Sequence, residues 1–307
     1  MITPPHRRRF LTAAAGFTGA ALLGGCDRFA ASSYGPRTLK LGEDANLFVQ
    51  RLLLTPASLA QEFPDSAISA TFKPNGTIDP PDRAYKALAA KHFAKFKLEV
   101  GGLVERPHSF SLADLRGLPA RTQTTRHDCV EGWSCIGTWT GVPLAEVLNR
   151  AGLRPQARYV VFHCADTLEY AGGGLEGGGD GALLRPENPT AVRHLAAAGN
   201  GADAWGGGGD AAPPDEEPAD RRTPIRYYES IDLTDAFHPQ TLLAYDLNGQ
   251  ALPVSNGAPL RLRLERQLGY KQAKYVMRIE VVDALSAIGQ GHGGYWEDRG
   301  YEWYAGI

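Results

Sequence analysis

Neither sign of charge prevails in this chain: over 307 residues, 32 Lys and Arg stand against 34 Asp and Glu, a formal net charge of −2. That balance excludes a basic nucleic-acid binder and, with 43% hydrophobic residues, a disordered polyelectrolyte. After Phe10 to Cys26 there is no apolar run long enough to cross a bilayer, and this early run is too rich in small residues to read as an ordinary membrane helix. No internal repeat is visible. A nucleophile elbow or acid/base pair that would mark a hydrolase is missing. So are Cys-x2-Cys spacings for zinc and Cys-x2-Cys-His for c-type haem. What is present suffices for one large domain or two small ones, at roughly 150 residues each.

Arg7, Arg8 and Arg9, followed by Phe10 and Leu11, stand before the apolar stretch Thr12 to Leu23. This twin-arginine pattern is an address read by a receptor, and its usual cargo is protein folded before export, often around a cofactor. Leu23-Gly24-Gly25-Cys26 resembles a lipobox in which Cys26 is acylated, and Asp27 resembles an inner-membrane retention signal. One acyl chain holds weakly, whereas the two or three of a lipoprotein anchor stably. Residues 1–31 are therefore expected to direct the protein to the periplasm, with a lipid anchor at Cys26.

Residues 32–94 read as a polar lead-in, broken by Thr55-Pro56 and Pro80-Pro81. The main domain is expected over 95–285. Lys97 to Val104, Thr122 to Val130, Tyr159 to Cys164, Leu242 to Leu247, Leu260 to Glu265 and Tyr275 to Asp283 are strand-like. Ser111 and Asp114 form a capping-box start for a short helix, and Pro143 precedes Leu144, Val147 and Leu148 at helical spacing. Asn248-Gly249 and Asn256-Gly257 are turn signals. Residues 172–224 hold thirteen glycines and six prolines, too little apolar surface to offset ordering entropy, and are expected to be a flexible insertion. Loop closure grows only logarithmically with length, so flanking strands tolerate it. The tail 286–307, with Tyr295, Trp296, Tyr301, Trp303 and Tyr304, is expected to pack back on the domain.

Beyond Cys26 there are three cysteines: Cys129, Cys135 and Cys164. One reading pairs Cys129 with Cys135 in a disulfide and leaves Cys164 as a buried thiol. The other makes one thiolate a ligand for a redox metal, and Cys129 is favoured because Arg126 and His127 precede it. For His163 and His238 a structural hydrogen bond is expected, and for Tyr227, Tyr228, Trp133 and Trp139 a place in the core.

Arg126-His127-Asp128-Cys129-Val130-Glu131-Gly132-Trp133-Ser134 with Trp139-Thr140-Gly141-Val142-Pro143-Leu144 resembles the cofactor segment of the sulfite oxidase superfamily of molybdopterin enzymes. The likeness is closer to the exported bacterial branch that includes methionine sulfoxide reductase catalytic subunits. A second block, Asn256-Gly257-Ala258-Pro259-Leu260-Arg261 and Gly269-Tyr270-Lys271-Gln272-Ala273-Lys274, agrees, and the resemblance spans roughly 95–285. It implies an α+β fold, mainly β, built as a sulfite-oxidase-like molybdopterin-binding domain.

It also implies that Cys129 ligates molybdenum beside the dithiolene of a single pyranopterin, as Mo-molybdopterin. Asn256, Arg261, Lys271 and Lys274 would surround the pterin phosphate, with the backbone amides of Gln272 and Ala273 donating. Cys164 falls where the reductases have a pocket threonine, and Gln61 and Glu62 occupy the place of their amino-terminal cofactor contact. His127 would bind substrate or tune charge. The implied activity is two-electron oxygen-atom transfer, as sulfoxide reduction or sulfite-type oxidation on a small-molecule or protein substrate. Without a haem motif here, the electron partner is expected to be a membrane haem protein or a periplasmic cytochrome. A non-catalytic exported lipoprotein that keeps the fold without the metal is the alternative.

Overall fold

A computed structural model describes residues 29, 32, 34–171 and 223–307. The twin-arginine and lipobox signals and nearly all of the glycine-rich insertion lie outside the described residues. The chain divides into two compact units, one ending at Leu53 and one beginning at Leu54.

The first unit contains α1 (Gly35–Leu53), where the polar lead-in was expected to carry no long element. The reason is local. Pro36 lies in the first turn, where a missing N–H costs nothing, and no further proline falls before Pro56. Among the described residues no helix is long and apolar enough to cross a membrane.

The second unit is built on two sheets. In the first, the order is β2 (His108–Ser111), β1 (Lys97–Gly102), β10 (Val276–Val282), β5 (Tyr159–Ala171) and β6 (Thr223–Asp232). Only β1 and β10 run parallel; their neighbours pair antiparallel. The second sheet is β3 (Arg121–Asp128), β4 (Ser134–Pro143), β7 (Leu242–Leu247) and β8 (Gln250–Ala251), with β9 (Arg261–Arg263) also on β7. Among the described residues four short α-helices accompany them: α2 (Arg83–Ala89), α3 (Leu112–Arg116), α4 (Leu144–Ala151) and α5 (Leu233–Ala236). This is the α+β, mainly β class expected.

Local chemistry explains the elements. Ser111 Oγ accepts from the Asp114 amide at 3.1 Å while Asp114 Oδ2 accepts from the Ser111 amide at 2.8 Å, so the capping box starts α3 as predicted. Leu144, Val147, Leu148 and Ala151 put the buried stripe of α4 on one face. Asn248 and Gly249 turn β7 into β8 with φ of 51° and 74°, the left-handed pair a tight hairpin needs.

The boundary expected at residue 95 moves to Leu54, because the stretch before it carries core aromatics. Phe72, Tyr85 and Phe93 are buried, and Tyr85 donates its hydroxyl proton to the Ala258 carbonyl at 2.7 Å. The tail packs as expected: Tyr295 and Tyr304 are buried, and Trp303 Nε1 donates to Ser230 Oγ at 2.9 Å. Strand β5 runs past its expected end at Cys164. Its pairing with β6 shifts register between His163 and Thr167, an irregularity that re-aims the side chains beyond it.

Phe162, on the central strand β5, is fully buried. Phe162→Ala is expected to cost about 3–5 kcal/mol through lost burial and a residual cavity. Denaturant unfolding should show a lower midpoint with an unchanged slope; an unchanged midpoint would contradict this core assignment.

Candidate active site

Strands β3 and β4 form a hairpin in which His127 faces Cys135 and Asp128 faces Ser134. Its loop is closed by Cys129 N donating to Trp133 O and Gly132 N to Cys129 O, each at 3.0 Å, with Gly132 at φ +82°. Cys129 is thereby fixed at the hairpin tip, beside a cavity of about 260 Å³. Asn75, Asp166, Gln272 and Lys274 line the same cavity, and Tyr227, Tyr270, Trp296 and Tyr301 give it an aromatic wall. Cys135 lies within β4, its Sγ 3.8 Å from the Thr71 carbonyl. Cys129, Cys135 and Cys164 are all free thiols, so the disulfide alternative is not realised.

Behind the wall made by Asn75 and Lys274 lies an excess of buried positive charge. Arg261 is fully buried, its Nη1 donating to Asn256 O at 3.2 Å and its Nη2 to Asn75 Oδ1 at 3.0 Å. Burial, then the neighbouring Arg263 charge, brings its pKa down to about 9. Lys274 spends its ammonium protons on the carbonyls of Asn75, Thr77 and Ser255 at 2.5–2.8 Å. Burial and then Arg261 bring it down to about 7. Arg263 is paired with Glu265 at 2.6 Å, which leaves that carboxylate occupied. Three nitrogens here lack partners among the described residues: Arg261 Nε, Asn256 Nδ2 and His127 Nε2. A region with surplus cations and unspent polar nitrogens is suited to an anionic group rich in acceptors.

Asp166 enters the cavity from β5, within the irregular stretch between His163 and Thr167. It is buried with Oδ1 unpartnered, and desolvation pushes its pKa up to about 7 against the pull of Lys274. His127 is buried between Phe72 and Trp133. Desolvation, then Arg261 and Arg263, hold it well below the usual imidazole range, so it is neutral. Gly269 permits this placement, since a Cβ there would stand 2.4 Å from His127 Cε1.

Several expectations need correction. Cys129 is not activated by Arg126 and His127: Arg126 is engaged by Asp128 at 2.9 Å and His127 is neutral, while burial raises the thiol pKa. Lys271 does not reach toward Arg261. Its ammonium is held by Glu229 and Glu297, 2.5 Å from each, in a separate buried cluster. The amides of Gln272 and Ala273 are spent within their own turn, on Gly269 O and Lys271 O. Cys164 is buried and does not line the cavity, and desolvation raises its pKa well above the usual thiol value. Gln61 lines a different, smaller cavity of about 180 Å³. Glu62 accepts from Arg121 at 2.5 Å and Gln240 at 3.1 Å and does not line the cavity at Cys129.

The amino-terminal contribution comes instead from Asn75 to Thr77, whose Pro74-Asn75-Gly76 turn signal was legible but unread. Asp166 was also missed; an acid closing an apolar strand run was its signal. His163, 2.9 Å from Glu280, and His238, 3.0 Å from the Ser58 carbonyl, make structural bonds as expected. Tyr227 lines the cavity, whereas Trp139 is core, stacked 4.4 Å from the Arg263 guanidinium.

Residues 86–179 and 212–287 match the oxidoreductase molybdopterin binding domain. The chain is 33% identical over 302 residues to YedZ1 of Azospira oryzae, which bears the name of a protein-methionine-sulfoxide reductase subunit; the match covers 98% of this chain and 88% of that one. It is 32% identical over 206 residues to the protein-methionine-sulfoxide reductase catalytic subunit MsrP of Xanthomonas axonopodis pv. citri, covering 67% of this chain but 49% of the relative. With MsrP of Ralstonia nicotianae it is 31% identical over 295 residues, covering 92% of this chain and 71% of that one.

The two titrating groups at the cavity set opposite pH trends in the cofactor-free protein. Asp166 binds its proton more tightly folded, at about 7, than unfolded, near 3.8, so stability falls as pH rises through that window. Lys274 gives up its proton at about 7 folded but near 10.5 unfolded, so its penalty is present below 7 and lifted as pH rises to 10.5. Chemical unfolding across pH should show Asp166→Asn flattening the acid-side fall and Lys274→Met the alkaline-side rise. Parallel curves for wild type and both variants would refute these assignments.

Proposed function

The chain belongs to the oxidoreductase molybdopterin binding domain family, and on that premise we propose that it reduces sulfoxides, with Cys129 as the protein's ligand to molybdenum. One observation carries this reading: a cavity-lining thiol lies with buried cations and with nitrogens that, among the described residues, lack a hydrogen-bond partner. Among the described residues no three His, Cys, Asp or Glu side chains gather as a metal site, so the metal's remaining donors would come from the single pyranopterin. When bound, that group supplies two-electron oxygen-atom transfer.

The protein's own residues do the rest. Arg261 and Asn256 would offer their spare nitrogens to the pterin phosphate, and Lys274 would add charge while tying down Asn75 to Thr77. Asp166 sits where it can hold a proton beside the substrate oxygen near neutral pH. The aromatic wall of Tyr227, Tyr270, Trp296 and Tyr301 offers ring faces and edges to a thioether or its sulfoxide. Methionine sulfoxide is the substrate we favour, in keeping with the names of the relatives. The twin-arginine and lipobox signals support a periplasmic site of action at the inner membrane, with a membrane haem protein or periplasmic cytochrome delivering electrons.

Elemental and pterin analysis of exported protein should find about one molybdenum per chain. Cys129→Ala should keep the fold yet lose the metal, and reduction of methionine sulfoxide by a reduced dye should drop to background. A variant that retained its metal and turned over normally would overturn the ligand assignment.

A further inference from the structure

Beside the cavity lies a second cluster of charges that the reading above does not use. Glu229 on β6, Lys271 on the Gly269–Lys271 turn and Glu297 in the tail are all buried, with the Lys271 ammonium 2.5 Å from one oxygen of each carboxyl. One ammonium neutralises one carboxylate. A second buried carboxylate would carry an uncompensated charge, at a cost of several kcal/mol. Glu297 Oε2 has no hydrogen-bond donor among the described residues, and the group beside it is the Glu229 carboxyl: a Cβ on Gly294 would meet Glu297 Oε2 at 1.9 Å and Glu229 Oε1 at 2.9 Å. Glu229 Oε1 accepts from the Ser230 amide at 2.8 Å as well as from Lys271, so Glu297 Oε2, turned on that carboxyl with no donor of its own, escapes like-charge repulsion when one of the two acids carries a proton.

Among the described residues, Tyr227 links the cluster to the cavity lining. Tyr227, part of the aromatic wall, places its hydroxyl 3.3 Å from Glu229 Oε2 and also donates to the Tyr270 carbonyl. The other groups facing the cluster are Cys164 and Tyr228, neither a cation, so Lys271 is the positive charge that the two acids share. Trp303 and Tyr270 rings cover the ammonium at 5.5 and 6.0 Å and keep water off it.

We propose that Glu229, Glu297 and Lys271 store one exchangeable carboxyl proton and that Tyr227 relays it to the cavity. Its use there rests on the sulfoxide reading. Breaking the S=O bond and forming water consumes two protons and two electrons, the electrons supplied by a haem-type donor protein, one proton by the store and one by Asp166, and both acids are reprotonated from solvent. Desolvation, then the Glu297 charge, holds the Glu229 pKa well above the usual carboxylate range, in the sense that storage needs.

Infrared spectroscopy of the folded full chain at neutral pH tests the store without any activity. A protonated-carboxyl C=O band is expected that survives in Asp166→Asn, which removes the other protonatable buried acid at the cavity, and is lost when Glu229→Gln or Glu297→Gln is made in that background, where the remaining acid pairs with Lys271 as a carboxylate. A band that persists in both glutamine variants, or is missing from wild type, overturns the store. The relay is tested by turnover on methionine sulfoxide. Tyr227→Phe is expected to lower kcat by about a hundredfold, with KM little changed and a larger solvent deuterium isotope effect. Unaltered kcat and isotope effect would overturn the relay. A wild type that shows the band but reduces no sulfoxide leaves the store standing and removes the function reading instead.

Discussion

The site depends on buried positive charge that the protein does not neutralise. Arg261, Arg263 and Lys274 are each nearly or fully inaccessible, and the paired carboxylate among them, Glu265, is committed to Arg263. Taking such ions from water costs several kcal/mol each after relaxation. The fold offsets part of this with neutral acceptors: backbone carbonyls of Asn75, Thr77, Ser255 and Asn256, the Asn75 amide oxygen, and the face of Trp139. These bonds tie three separate chain segments into one wall. The remainder of the charge is available to an anionic ligand, so a group that binds there stabilises the fold that receives it.

Everything nearby is arranged around that wall. The hairpin tip of β3 and β4 brings Cys129 to the cavity, and the irregular stretch of β5 between His163 and Thr167 carries both Asp166, which lines it, and Cys164, which does not. The tail closes the opposite side with Trp296 and Tyr301 and is held through Glu297 by Lys271. Cations thus serve two distinct ends on either side of one short segment. Lys274 faces the cavity with no acid paired to it, and Lys271, three residues earlier, is enclosed by two acids.

Much of this was legible in sequence where a local rule governs. The capping box at Ser111, the apolar stripe of α4, the Asn248-Gly249 turn and the strand-like runs each depend on residues close together in the chain. The two conserved-looking blocks around Cys129 and Arg261 carried the family resemblance, and the family match agrees with it. The helix over Gly35–Leu53 was overlooked because flanking prolines were weighed more than the uninterrupted stretch between them.

Pattern by itself determined a series of strand-like runs, two short helices and their turns, while the mainly β class, the cofactor cysteine and the basic residues for a phosphate came from the family resemblance of two sequence blocks. Which of those residues face one another was decided by tertiary structure alone. Lys271 and Lys274 look alike in the chain, and only the approach of Glu229 and Glu297 from distant segments separates a clamped ammonium from one beside the cavity. Gln61 and Glu62 gave way to Asn75 to Thr77 for the same reason. Side-chain roles here are set by burial and by partners far away in sequence, and the energy of a buried charge depends on those partners rather than on its neighbours along the chain.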